Sequence, residues 1–385
     1  MPHLPVNSGR CFELENRFQI QLRGACWFLV AAALGCAPTP LPDGDRRVAL
    51  RGATEQVILP TYAELSTRSA ELASLLDELA SAPAAADLAT IRRAYLAVRV
   101  PLEESGAFGF GPAVELHSKA GIDQAPIDVA KLDAELLSEN ELTLKEVGGL
   151  GANKRGLHAI EYLLFPEGDA ELEAALLADD VAAERRRQFA SMAGQLVADN
   201  AEKLRLAWDP EIGGYALRFD EPGKPDSVSA TVQAGLDTLL NETVVLSETI
   251  ANVKLGQPLG NATGGKIDVT AQESERAGAS LSDIASNLRG IRNIYFGARD
   301  GSAEPSLATL VRAKSPSADV HAREAIEAAA AAVSAIPEPF TDALNDSPET
   351  VTAAYDALKA LKRVLATEVL SSLGASLKFS DNDGD

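Results

Sequence analysis

His158 and Glu161 lie three residues apart in the segment Arg155-Gly156-Leu157-His158-Ala159-Ile160-Glu161-Tyr162-Leu163-Leu164-Phe165. Leu157, Ile160 and Leu164 form an apolar stripe at helical spacing, so the segment reads as a packed helix. On a helix, side chains at i and i+3 lean over the same side of one turn. A neutral imidazole and a carboxylate placed so can share one divalent or ferric ion, or can pair with each other. Burial without a partner would be costly. Zinc-hydrolase patterns do not fit. His-Glu-x-x-His needs a second histidine one turn away, and His-x-x-Glu-His needs one where Tyr162 stands. The di-iron bundle pattern has the reverse order, Glu-x-x-His, and comes in pairs.

The rest of the chain offers few other reactive groups. Its 385 residues include 4 His and 3 Cys, and 56 acidic against 35 basic residues give a net charge of -21. Such acidity argues against nucleic acid as a partner, because phosphate contacts need Lys and Arg. His117 falls in a loop region and His321 on a polar helix, and both read as residues without a special role. One small site, built mainly from carboxylates, is what this inventory allows.

Residues 1–36 read as a secretory leader. Arg17 and Arg23 precede an apolar run from Ala25 to Leu34, which is too short to span a bilayer. Ala33-Leu34-Gly35-Cys36 resembles a bacterial lipobox, making Cys36 the expected lipidation site and a lipid anchor the expected tie to a membrane. The leader carries three arginines against two glutamates, so its removal takes the net charge to -22 and also removes Cys11 and Cys26. Disulfide and thiolate chemistry are thereby excluded from the processed chain.

Residues 37–49 read as a Pro-rich tether. Beyond it the periodicity is helical. Leu65, Leu72, Leu75, Leu76 and Leu79 form one stripe, and Leu281, Ile284, Leu288, Ile291 and Tyr295 another. Val351, Tyr355, Leu358, Leu361, Leu365 and Val369 form a third, and Val228, Val232, Leu236, Leu239 and Leu240 open a fourth. All recur at three- and four-residue steps. No run alternates with the period of a strand. Pro60 and Pro101 fall inside helical patterns and should kink or restart them. Residues 108–126, 209–226 and 256–268 are rich in breakers. An all-α fold is expected, with two up-and-down bundles, 50–178 and 179–385, packed around a shared interface.

The segment around His158 resembles the G-x-H-x-x-E motif of the imelysin family, in Gly156, His158 and Glu161. The likeness extends to Arg99-Val100-Pro101-Leu102-Glu103, to Ala107-Phe108-Gly109-Phe110-Gly111-Pro112, and to Gly121-Ile122-Asp123-Gln124-Ala125-Pro126-Ile127-Asp128. Downstream it takes in Gly256-Gln257-Pro258-Leu259-Gly260, Glu273-Ser274, Ser280-Leu281, Asn287-Leu288-Arg289-Gly290 and the tail 379–385. The resemblance implies a bacterial cell-envelope protein with two helical bundles and a site at their interface. Some members are described as metallopeptidases and others are linked to iron uptake, so enzymatic activity stays open. It also implies a metal site of Glu103, Asp123, His158 and Glu161, with Glu273, Ser274 and Ser280 closing it from the second half. Carboxylates with one imidazole suit iron, calcium or zinc, and the resemblance to members linked to iron uptake favours iron among them. Membrane components of iron transport are the implied partners. Relatives often carry a second acid where this chain has Gly106, and Glu104 points about 100 degrees away from that direction. A metallopeptidase, with Glu161 as the base, and a purely structural His158–Glu161 lock are the competing readings.

Three motifs carry no function on this reading. Gly260 to Lys266 has the spacing of a phosphate loop, but Ile267 replaces the needed Ser or Thr. Asp381 to Asp385 looks like a calcium loop without its closing Glu. Arg185, Arg186 and Arg187 read as a solvated helix face.

Overall fold

The computed structural model describes residues 41–166, 168–299 and 301–377. The leader, Cys36 and the acidic tail lie outside the described residues. Among the described residues there is no strand, and every regular element is helical.

The first helix, α1 (Asp43–Ala53), begins inside the segment expected to be a tether. Pro42 precedes it and Asp43 and Asp45 fill its first turn, where acidic side chains favour the positive end of the helix dipole. Ala49 and Leu50 are already buried. A π-turn over Thr54–Ile58 joins α1 to α2 (Leu59–Ser81), so Pro60 stands in the first turn of α2, where its missing N–H costs nothing. Asp87 caps α3 (Leu88–Ser105), accepting from the N–H groups of Ala89 and Thr90. Pro101 lies inside this helix. Short helices follow, among them Ser118–Ile122, before α4 (Leu157–Leu164). Asp180 caps α5 (Val181–Trp208), which begins beyond the expected 178/179 division yet packs along α2 and α4.

Thr231 caps α6 (Val232–Thr249), so Val228 precedes the helix and is exposed. A second π-turn, Ile250–Leu255, continues α6. Then come α7 (Ser280–Phe296), α8 (Pro316–Ser334) and α9 (Pro348–Val364). Helix α2 packs on α3, α7 packs on α3, α6 and α8, and α9 packs on α6 and α8. The described residues form one compact unit.

Helix α7 is the element both halves share. Leu281, Ile284, Leu288, Ile291 and Tyr295 are buried, as the stripe requires, but so are Asp283, Ser286, Asn287 and Asn293. Gly290 lets α7 approach α3 closely, because a Cβ there would run into the backbone carbonyl of Glu104. This crossing sets Asp283 and Asn287 against Arg99 and Glu103.

The arginine run behaves differently from expectation. Arg187 is buried and donates to the carbonyls of Leu176 (2.8 Å) and Ala178 (3.1 Å). Arg185 donates to the carbonyls of Asn140 (2.8 Å) and Glu135 (3.2 Å). Free C-terminal carbonyls of nearby helices need donors, and these guanidiniums supply them. His321 is exposed and paired with Glu368 at 2.7 Å.

Candidate metal centre

Arg99 is the hub of a buried charge cluster and is only 1% exposed. Its Nε donates to both oxygens of Asp283 (3.0 and 2.9 Å), Nη1 to Asp123 Oδ1 (3.1 Å) and Nη2 to Glu103 Oε1 (2.8 Å). Ser274 Oγ donates to Asp283 Oδ2 at 2.6 Å. The other Glu103 oxygen, Oε2, accepts from Lys254 Nζ (2.6 Å) and Asn287 Nδ2 (2.8 Å). Lys254 Nζ also lies 2.9 Å from Glu273 Oε2.

Gly156 explains why the motif carries a glycine at that position. Its φ is +81°, and a Cβ would lie 2.7 Å from the carbonyl oxygen of Ile122. This close approach brings Asp123, just after helix Ser118–Ile122, beside His158 on the first turn of α4.

His158 and Glu161 are both buried, and His158 Nδ1 lies 2.8 Å from Glu161 Oε2. A carboxylate can only accept, so Nδ1 carries the proton and Nε2 is the nitrogen left for a ligand. Glu161 Oε1 accepts from the Ala277 N–H at 2.9 Å. Nε2 lies 3.2 Å from Asp123 Oδ1 but, buried, makes no hydrogen bond. The two atoms are close enough to form an ion pair when His158 is protonated, or to ligate one ion together when it is neutral.

One ligand atom from each of Asp123, His158 and Glu273 lies within 4.8 Å of the others. An ion held at about 2.0–2.2 Å separates its ligand atoms by at most about 4.4 Å, so small side-chain rotations close the set. The donors are one imidazole and two carboxylates, which fit iron or zinc and give no thiolate preference. Glu161 fixes the orientation of the imidazole through Nδ1, as carboxylates behind metal-binding histidines do. Both oxygens of Glu103 are engaged by Arg99, Lys254 and Asn287. Glu273 joins Asp123 and His158 in the set of close ligand atoms.

The electrostatics match. Burial pushes Asp123 upward, but Arg99, His158 and Lys254 outweigh it and hold its pKa down at about 2. Burial pulls His158 downward, and Asp123 and the hydrogen bond that His158 donates to Glu161 outweigh that and raise it above 6.5. Burial raises Glu103 to about 7 against the pull of Lys254. Burial would raise Glu273, and Lys254 outweighs it and lowers it. The carboxylates of Glu103, Asp123, Glu161, Glu273 and Asp283 share two fixed cations, Arg99 and Lys254, with His158 as a titratable third.

Asp123, His158, Glu161 and Glu273 line a cavity of about 1200 Å³ together with Glu103, Lys254 and Asn287. His117 lines it too, in a left-handed conformation (φ +50°), so it has a more particular place than its loop position suggested. Ser280 does not cap α7: Ala279 is the N-cap, and the buried Ser280 Oγ has no hydrogen bond. Gly106 lines the cavity, and a Cβ there would lie 3.1 Å from Leu246 Cδ1, so a side chain at this position would need Leu246 to shift by a few tenths of an ångström. Glu104 turns away to Arg289 (3.0 Å) and Arg299 (3.2 Å). Lys254, Asp283 and Asn287 had no role assigned from sequence; the i, i+4 spacing of Asp283 and Asn287 beside the apolar stripe of α7 was the available signal for those two.

A helical fold with a buried carboxylate–histidine cluster at its core defines the class, and sequence comparison gives the family. The family model for imelysin matches residues 58–365, and the chain belongs to that family. It is 27% identical over 330 residues to "Iron-regulated protein A" of Synechococcus elongatus, covering 83% of this chain and 85% of that one. A crystal structure from Parabacteroides distasonis, described as an iron-regulated protein A precursor, superposes with a TM-score of 0.78 at 24% identity, over 88% of this chain and 97% of that chain. An imelysin-like protein from Psychrobacter arcticus superposes at 0.67 and 18% identity, over 88% and 98%. These two likenesses concern the fold.

Proposed function

We propose that this protein captures an iron ion at Asp123, His158 and Glu273 and serves iron acquisition in the bacterial cell envelope. The observation that carries the reading is the grouping of ligand atoms from Asp123, His158 and Glu273 within 4.8 Å of one another, beside a buried His158 Nε2 that makes no hydrogen bond. The name of the Synechococcus relative, iron-regulated protein A, supports iron over zinc or calcium. Capture is favoured over peptide hydrolysis because Glu161, the local candidate for a base, has both oxygens engaged. A lipid on Cys36 would hold the protein at a membrane and present the ion to a membrane iron-transport partner. No helix among the described residues is long and apolar enough to cross a membrane.

The test is equilibrium binding of ferrous, ferric, zinc and calcium ions to the purified chain. Iron should bind one to one, and His158→Ala should weaken it by about 100-fold or more. Unchanged binding in His158→Ala, or no binding of any of the four ions, rejects the site. Detergent partitioning of Cys36→Ala against wild type, expressed in bacteria, tests the anchor; equal partitioning rejects it.

A further inference from the structure

The π-turn Ile250–Leu255 puts a lysine between two buried acids of the cluster, Glu103 and Glu273. One extra residue in a helical turn re-aims the side chains that follow, and such turns recur at functional sites. Here the turn carries Lys254 inward, where it is 8% exposed. Its Nζ holds Glu103 Oε2 at 2.6 Å and Glu273 Oε2 at 2.9 Å. Glu103 does not depend on it alone, since Arg99 and Asn287 also donate to that carboxylate. The only hydrogen-bonding or ionic partner described for the Glu273 carboxylate is Lys254. Glu273 is also one of the three groups within ligand distance of one another.

We propose that Lys254 is a built-in stand-in cation, which holds Glu273 in place without metal and yields it to the ion on binding. The proposal rests on the metal-capture reading of the same site. Its logic is electrostatic. An ammonium fixed beside the ligand set keeps the buried carboxylates from repelling each other when no ion is bound. The same charge opposes the arriving cation, and the opposition grows with the ion's charge. Lys254 therefore lowers affinity and makes release possible, which a carrier needs and a storage site does not. Metal and lysine compete for one carboxylate, so loading is an exchange of cations.

The experiment compares wild type with Lys254→Met, Lys254→Gln and Lys254→Arg, using ferrous iron and zinc as probes. Each protein is titrated with metal, and its melting temperature is read with and without metal. Lys254→Met and Lys254→Gln should bind at least about tenfold more tightly than wild type, because the opposing charge is gone. They should melt lower than wild type without metal and gain more on loading. Gln keeps a donor for Glu103, so it guards against simple misfolding of the Met variant. Lys254→Arg, which keeps the charge, should bind within about threefold of wild type. If the neutral variants melt lower but bind with wild-type or weaker affinity, Lys254 is structural only and the proposal fails. If wild type binds neither metal, it is the metal-capture reading that fails.

Discussion

Replacing Gly156 with alanine tests how the site is assembled. At φ +81° and ψ −167°, a region essentially reserved for glycine, an L-residue pays roughly 1–3 kcal/mol of backbone strain. The added Cβ would also lie 2.7 Å from the Ile122 carbonyl oxygen, closer than such atoms approach, and the neighbour is backbone that cannot rotate aside. Relief requires the Ile122–Asp123 segment to retreat by about half an ångström or more, and overpacking of this kind costs roughly 1–3 kcal/mol. The sum is about 2–6 kcal/mol, or about 3–8 °C in melting temperature for a chain of this size. The retreat also carries Asp123 away. Its 3.1 Å bond from Arg99 and its 3.2 Å approach to His158 have little slack before they break. Metal affinity should therefore fall about tenfold or more, beyond what destabilisation alone explains. Calorimetry and metal titration of the same preparation read both effects. Gly44→Ala is the control, because nothing lies within 4 Å of its added Cβ, and it should be neutral or slightly stabilising. A Gly156→Ala protein that melts with wild type and binds metal equally well would refute this account of the motif.

Two further outcomes follow from buried ionisable groups. Asp220 accepts from Thr54 Oγ1 at 2.6 Å, and burial raises its pKa from 3.8 to about 6. The folded state keeps a proton that the unfolded state releases between those values, so stability falls as pH rises through that window, by up to about 3 kcal/mol. Asp220→Asn should melt above wild type at pH 7.5 and lose that advantage below about pH 4; equal melting at pH 7.5 would count against it. Metal binding should strengthen with pH, because the ion must displace the proton from His158, whose pKa is raised above 6.5 by Asp123 and Glu161 against the effect of burial. Affinity for zinc should rise by about tenfold per pH unit below the His158 pKa and then level off; a flat profile from pH 5.5 to 8.5 would exclude His158 as a ligand.

The helical stripes were readable in the sequence because burial on one face leaves a period, and Leu65, Leu72, Leu76 and Leu79 are buried as expected. The partnership of His158 and Glu161 was readable for the same reason, since one helical turn fixes it. Glu273 and Asp123 came from resemblance alone, and their nearness to His158 depends on contacts far apart in the chain. The arginine hub could have been suspected from the i, i+4 spacing of Arg99 and Glu103. Lys254 could not, because its direction depends on a π-turn and hydrophobic periodicity does not register one inserted residue. The helical start at Asp43 was missed because Pro38, Pro40 and Pro42 suggested a tether, whereas Pro42 only marks the boundary.

The bond between Arg99 and Asp283 joins residues 184 positions apart. Within the first half Arg99 can answer Glu103 and Asp123, but Asp283 and Lys254 come only from the second. A first half folding alone would have to bury these charges with part of their partners missing, which costs free energy. The two halves are therefore expected to unfold as one cooperative unit, and a truncation before Lys254 should leave the first half without a stable interior.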